Sequence, residues 1–351
     1  MSLFAKGGPW LFGRRTDLLA FGGSAALAFA LLGLGAQLGI LEADAPDWIW
    51  LSCILVVDVA HVWSTIYRVY LDGAELRRRP LLYVGAPLAC YAAGVLLHAM
   101  SGALFWTVLA YVAVFHFVRQ QVGWVALYAR REGAGALDRR VDLAATYAAT
   151  VWPLVWWHGH LPRSFHWFLE GDFVVGLSAE LAAWTFPLYA ALLGGWALRQ
   201  LIRLAGRGPK PSPGKLLVVA TTWACWYVGI VALDGDFAFT VTNVLIHGVP
   251  YLVLTYRYGR HRAARRPAST LARVLRGGAL VFVLSVIALA FVEELAWDRW
   301  VWHDRPWLFG EGGELGAFAL SLLVPLLALP QATHYVLDGF IWRMGQNPVL
   351  R

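Results

Sequence analysis

Two aspartates lie within long apolar stretches of this 351-residue sequence, and each is one helical turn from a histidine. Asp58 precedes His61 by three residues, and Asp338 follows His334 by four. These spacings place both members of a pair on the same face of a helix. A charged side chain in hydrocarbon costs at least about 2.5 kcal/mol, so it is normally kept for a function and given a partner. We therefore predict a polar site inside a membrane-embedded protein, with the other carboxylates in loops or near helix ends.

Two more histidines, His116 and His247, also lie within apolar stretches. Each has an amide side chain four residues away, Gln120 after His116 and Asn243 before His247. A metal-bound imidazole is commonly oriented by an oxygen-bearing group of this kind. Because the four histidines fall on different predicted helices at similar depths, we expect them to converge on one point. The predicted metal ligands are His61, His116, His247 and His334.

Other polar residues near these histidines receive predicted roles in the same site. The two aspartates are expected to bind or orient the metal or to act in catalysis, and two nearby tyrosines are expected to supply hydrogen bonds. In the alternative interpretation, Arg119 forms an ion pair with one of the aspartates, which would make that acid structural. The predicted catalytic residues are Asp58, Asp338, Tyr251 and Tyr335, and the predicted cofactor contacts are Gln120, Asn243 and Arg119.

Imidazole and carboxylate ligands without thiolate suit non-haem iron, zinc, copper or manganese. We expect one or two non-haem iron ions. Haem is an alternative, although His261, a tempting second axial ligand 14 residues after His247, lies in a basic segment outside the apolar stretch. The layout of histidines on membrane helices is similar to that of integral-membrane desaturases and hydroxylases and of membrane carotenoid-cleaving oxygenases. The HxxxH and HxxHH boxes of the desaturases are absent from the sequence.

The composition requires a membrane environment, since 59% of the residues are hydrophobic and the mean hydropathy is +0.57. Apolar runs of about 20 residues recur along the chain, and this is the length that crosses the hydrocarbon core of a bilayer. We predict an all-α, polytopic helical bundle that forms one membrane domain over residues 1–351, with a linker near 204–214. The ten predicted spans cover residues 18–40, 48–70, 80–100, 104–128, 142–158, 178–202, 215–234, 237–257, 276–296 and 316–342.

The net charge of +7 is explained by topology. Most of the lysines and arginines fall in alternate loops, for example at 77–79 and 257–276. The positive-inside rule then places both termini and the linker in the cytoplasm. Because there is no polar domain that could carry a basic patch, we expect no nucleic-acid partner. The Ala, Leu, Arg and Gly bias indicates a bacterial source and a cytoplasmic membrane.

Together these patterns predict a membrane-embedded metalloenzyme that uses O₂ to oxidise, desaturate or cleave a lipid or isoprenoid. Its expected partners are a lipid-soluble small-molecule substrate, membrane lipids and an electron donor. Two alternatives remain open. Buried His, Asp and Arg also occur in transporters and in ion or proton channels, and a haem-binding electron carrier would use histidines as axial ligands.

Overall fold

The structure is a computed structural model, which describes Leu3, Phe4, residues 8–343 and Gly345. Every regular element among these residues is a helix, as predicted. Contiguous helical segments are joined under one label here. The helices are Arg14–Leu38 (α1), Asp47–Arg68 (α2), Gly73–Arg78 (α3), Pro80–Met100 (α4), Gly102–Arg131 (α5), Ala136–Gly159 (α6), Ala179–Ala205 (α7), Pro213–Ala232 (α8), Asp236–Arg265 (α9), Thr270–Trp302 (α10), Pro306–Phe309 (α11) and Ala317–Ile341 (α12).

Nine helices in the described part of the chain are long and apolar enough to cross a membrane, namely α1, α2, α4, α5, α7, α8, α9, α10 and α12. This supports an integral membrane protein, and each of the nine overlaps a predicted span. The one remaining predicted span, 142–158, lies in α6. This helix is long enough to cross, but its charged first turns and its threonines, tryptophans and Pro153 make it less apolar. The number of crossings therefore depends on α6.

The buried face of α6 explains why this helix folds although it is polar. Asp142 is fully buried, and its carboxylate lies 2.7 Å from Lys215 Nζ of α8. Trp196 and Gln200 of α7 donate to the other oxygen of Asp142, over 3.0 and 3.2 Å. Further along α6, after Asp142, the helix buries alanines and Trp152. Asp142 therefore corrects the expectation that the remaining carboxylates lie in loops or near helix ends.

The chain divides into two compact units. The first contains residues 54–113 and the described residues from 251 onward, and the second contains the described residues before 54 together with 114–250. The dividing points fall inside α2, α5 and α9. The predicted linker corresponds to the segment between α7 and α8, within the second unit.

The second unit buries a further acid, Asp17, in α1. Its carboxylate accepts hydrogen bonds from the backbone of Leu11 and Phe12 and from the hydroxyl of Tyr128, over 2.6–2.9 Å. On the same unit, Gly229 of α8 packs directly on Thr242 of α9. A Cβ atom at Gly229 would lie 1.9 Å from Thr242 Oγ1, so only glycine permits this approach.

The first unit is held together by a buried arginine at the end of α2. Arg68 is fully buried and contacts Glu75 of α3 over 3.1 Å. It also donates to the hydroxyl of Tyr258 over 3.1 Å and to the carbonyl of Ile341 over 2.7 Å. Burial by itself raises the pKa of the Glu75 carboxyl, but the hydrogen bonds from Arg78 and the charge of Arg68 outweigh it and lower that pKa to about 2. Arg68 thus connects α2, α3, α9 and α12.

The number of crossings can be tested on either side of α6. We expect α6 to cross the membrane, because ten crossings place every basic loop on the cytoplasmic side. Reporter domains inserted after Ala134 and after Val174 should then report opposite sides, with Ala134 cytoplasmic. A reporter fused to Arg351 should also be cytoplasmic; the chain termini themselves lie outside the described residues. The same side for both α6 reporters would overturn the ten-span topology.

The ion cluster at Arg68 predicts a pH-dependent stability. Glu75→Gln should destabilise the protein by roughly 3–5 kcal/mol near neutral pH, because Arg68 would keep a buried charge without its partner. The carboxylate contributes fully above its unfolded pKa of about 4.5, and this contribution is lost as the pH falls towards the folded pKa of about 2. The difference in melting temperature from the wild type should therefore shrink between about pH 6 and pH 3. Glu170→Gln, at an exposed loop position, is the control and should show little difference at either pH.

Candidate metal centre

His61 follows directly after an unusual stretch of α2. Residues Trp50–Val59 are π-helical, and the chain returns to an α-helix at Ala60. π-Helical segments are rare and often occur at functional sites. His61 is buried, and its Nδ1 lies 3.5 Å from Asp58 Oδ1. The predicted pair of Asp58 and His61 is therefore present, and it leaves Nε2 of the imidazole to face other groups.

Two further rings of the first unit surround His61. The ring centroid of His334 lies 4.9 Å away and that of Tyr251 lies 5.6 Å away. His334 and Tyr251 are themselves 5.0 Å apart, and all three pairs are close to perpendicular. The three residues come from α2, α12 and α9 and are all buried. Sequence positions far apart therefore meet, as the common depth of the histidines predicts.

A chain of hydrogen bonds leads away from His334. Its Nδ1 lies 2.7 Å from Thr65 Oγ1. The hydroxyl of Tyr251 interacts with the side chains of Thr65 and Asp338, and it accepts a hydrogen bond from Trp342 Nε1 over 3.3 Å. The order of groups is thus carboxyl, phenol, hydroxyl and imidazole. We call Asp338, Tyr251, Thr65 and His334 the hydroxyl relay.

Thr65 is the one member of the hydroxyl relay that was not predicted from the sequence. It lies four residues after His61, on the same helix face, so the spacing rule could have found it. The partners predicted for the histidines were carboxylates, amides and tyrosines, and they did not include a threonine hydroxyl. Tyr335, the other predicted tyrosine, packs its ring 5.7 Å from that of His334.

The second unit contains the other two predicted histidines as neighbours. The rings of His116 and His247 are buried and nearly perpendicular, with centroids 5.0 Å apart. The ring of Phe117 stacks on His247 at 3.5 Å with an interplanar angle of 4°. This stack fixes the plane of the His247 imidazole.

The amides near these histidines bind backbone carbonyls of α9. Pro250 has no N–H, so the carbonyl of Ile246 loses its normal helical donor. Gln121 Nε2 donates to this carbonyl over 3.4 Å. Gln120 Nε2 donates to the carbonyl of His247 over 2.8 Å. Gln120 was expected beside the ring of His116, and it instead ties α5 to the backbone at His247.

The remaining predicted cofactor contacts have different surroundings. Asn243 donates to the carbonyl of Phe239 and to the hydroxyl of Thr242, both over 3.1 Å. Arg119 is exposed and donates to the hydroxyl of Tyr147. An exposed guanidinium with this partner is poorly suited to neutralise a buried aspartate, which was the alternative role proposed for it.

Several buried side-chain oxygens have no hydrogen-bond donor among the described residues, Oε1 of Gln200 and of Gln331 for example, and two of them are Oε1 of Gln120 and Oδ1 of Asn243. A buried polar atom left unsatisfied costs about 1–3 kcal/mol. Such atoms commonly mark the place of an ordered water or an ion. Gln120 and Asn243 were both predicted to contact a cofactor.

Three of the four predicted ligands form a buried group that could hold a metal ion. His61, His116 and His247 each offer one ring nitrogen, and these atoms lie within 4.8 Å of one another. Around a tetrahedral ion with metal–nitrogen bonds of about 2.0–2.1 Å, the nitrogens would be about 3.4 Å apart. The nitrogens would therefore have to move closer together to bind one ion. This group does not include His334, whose Nδ1 is bonded to Thr65.

A buried glutamate of the first unit was also missed. Glu293 was expected, like the other carboxylates, in a loop or near a helix end, but it is buried within α10. Its carboxylate accepts a hydrogen bond from Trp63 Nε1 over 2.6 Å and another from Gln331. It lies close to the end of the predicted span 276–296, which is why the sequence pattern did not indicate its burial.

No protein-family model, curated protein sequence or solved structure matches this chain. The chemistry of the centre therefore has to be inferred from its own residues. These residues are the group of three buried histidines and the hydroxyl relay, which ends at a fourth histidine, His334.

Proposed function

We propose that this chain is a membrane metalloenzyme in which His61, His116 and His247 bind a non-haem iron ion. The observation that supports this proposal is the buried group of three ring nitrogens. Three protein ligands leave coordination positions open, which is typical of catalytic sites and not of closed structural ones. Imidazoles without thiolates suit iron, with zinc and copper as the nearest alternatives.

The grouping of the nitrogens favours a single ion over haem. Two axial histidines must lie on opposite faces of a porphyrin, with the ring between them. A third nitrogen within 4.8 Å of both would fall inside the area of the porphyrin ring. Three mutually close nitrogens are instead the arrangement of ligands around one small ion.

The surroundings support a lipid-soluble substrate and an oxidative reaction. Bound iron with open positions supplies O₂ chemistry, and a site closed off from water protects such chemistry from side reactions. The proposed reaction is oxidation, desaturation or cleavage of an acyl or isoprenoid chain. It takes electrons from a separate donor, in a bacterial cytoplasmic membrane.

The residues of the chain have defined tasks in this proposal. Asp58 lies 3.5 Å from Nδ1 of His61 and would orient this imidazole so that its other nitrogen, Nε2, binds the ion. Gln120 fixes the backbone at His247, and Phe117 fixes its ring. The hydroxyl relay holds His334 and can carry a proton between Asp338 and the imidazole.

The same relay favours a second candidate function, proton transport. Chains of carboxyl, hydroxyl and imidazole groups inside a membrane protein are typical of proton paths. In this alternative, the three-histidine group would be part of the path and no metal would be needed. The two functions differ in metal content and in proton flux.

The metal proposal is tested by elemental analysis of the purified protein. We expect iron near one ion per chain and an optical spectrum without a Soret band. His116→Gln and His247→Gln should each lower the iron content at least about tenfold, since loss of a ligand costs at least as much as loss of a residue that orients one. His166→Gln, at an exposed loop position, is the matched control and should keep its iron. A Soret band, or full iron content in both variants, would rule out this centre.

Proton transport is tested in liposomes with an internal pH dye. The metalloenzyme proposal predicts no proton flux through the reconstituted wild type. The transport alternative predicts a flux that Thr65→Val abolishes and Thr65→Ser retains, because serine keeps the hydroxyl that contacts His334. A hydroxyl-dependent flux in a protein that contains no iron would replace the first function with the second.

A further inference from the structure

A cavity of about 310 Å³ lies in the first unit and reaches His334. Three helices line it, α2, α4 and α12. Its walls are apolar over most of their area, and they include Val62, Ile66, Pro87, Leu326, Leu329 and Pro330. Its volume is at the lower end of the range for small-molecule sites, so it suits one chain and not a two-chain lipid.

Prolines explain why space opens at this point. Pro87 lies inside α4, and Pro325 and Pro330 lie on either side of a break in α12 at Ala328. A proline within a helix removes a hydrogen bond and pushes the preceding turn away. In membrane helices such kinks are tolerated where they line a cavity. The cavity is thus built into the helices that surround it.

The cavity has an apolar mouth and a polar inner end. Leu326, on the outer side, is 50% exposed on a helix that is apolar enough to span a membrane. Such a surface meets lipid chains. Thr65 and His334, on the inner side, are 5% and 1% exposed. A molecule that enters from the bilayer would therefore meet apolar side chains first and the hydroxyl relay last.

We propose that this cavity admits a single-chain lipid-soluble substrate from the bilayer and presents its polar or unsaturated end to His334. That the occupant is a substrate rests on the function proposed above. That a single-chain lipid binds here rests only on the cavity. His334 is a positioning and proton-transferring residue here and not a metal ligand. Its Nδ1 lies 2.7 Å from Thr65 Oγ1, and this contact holds the ring at the inner end of the cavity.

The proposal is tested with a photoreactive probe in nanodiscs. The probe is a C16 fatty acid that carries a diazirine and an alkyne, and a diazirine-bearing diacyl phosphatidylcholine reports ordinary lipid contact. We expect the fatty acid to crosslink to the peptides of α2 and α12 that line the cavity, and the phospholipid to label them weakly. Equal labelling by both probes would show only a lipid-facing surface and would overturn the proposal.

Two matched substitutions locate the probe. Leu326→Trp fills the mouth of the cavity with its indole and should lower the fatty-acid crosslinking by about tenfold, which corresponds to a loss of about 1.4 kcal/mol in binding free energy. Leu322→Trp lies one turn away on the same helix, is exposed and does not line the cavity. It should leave crosslinking unchanged. Leu329→Phe is the second test variant, used if the first lowers the melting temperature. Unchanged crosslinking in a folded mouth variant would refute the site.

The iron content of the same samples separates this proposal from the proposed function. Leu326→Trp should keep its iron, since Leu326 does not belong to the three-histidine group. Crosslinking that maps to the cavity in an iron-free wild type would retain the lipid site and reject the metalloenzyme. Iron without cavity-specific crosslinking would retain the enzyme and reject this route for its substrate.

Discussion

The cost of burying charge among apolar helices governs this structure. Each fully buried cation described above has at least one carboxylate within ion-pair distance. Lys215 contacts Asp142 and Glu132 over 2.7 and 2.9 Å, and Arg68 contacts Glu75. Such pairs add little stability over apolar packing, but they strongly penalise any arrangement that separates them. They therefore fix which helices are neighbours, and the histidines are held in place by the helices so fixed.

The candidate metal centre departs from this rule of satisfied polarity. It holds several imidazoles. It also holds two amide oxygens, and these have no hydrogen-bond donor among the described residues. A fold normally tolerates such local exceptions where function requires them. At Arg68, in contrast, the guanidinium has a carboxylate, a hydroxyl and a carbonyl as partners. The hydroxyl relay lies between these two cases, because each of its groups interacts with the next one along the relay.

Sequence periodicity predicted which residues are buried better than it predicted their partners. It indicated that His61, His116, His247 and His334 lie inside helices, and all four are buried. It also paired Asp58 with His61, because neighbours on one helix follow from spacing alone. The bonds from Gln120 to a carbonyl of α9 and from Thr65 to His334 join different helices, and spacing along one chain does not specify the facing helix. The burial of Asp142 was missed for the same reason, since its partner Lys215 is more than 70 residues away.

The stack of Phe117 on His247 has a consequence for which ring nitrogen of His247 is available at the candidate metal centre. To exchange its two nitrogens, the imidazole must rotate about its Cβ–Cγ bond, and this turns its face away from the phenyl ring. Loss of a stacked contact costs about 0.5–1.5 kcal/mol, and close packing adds to the barrier. The stacked orientation of the ring is therefore favoured. Phe117 thereby favours one of the two nitrogens of His247 as the atom that the ring could offer to a metal ion.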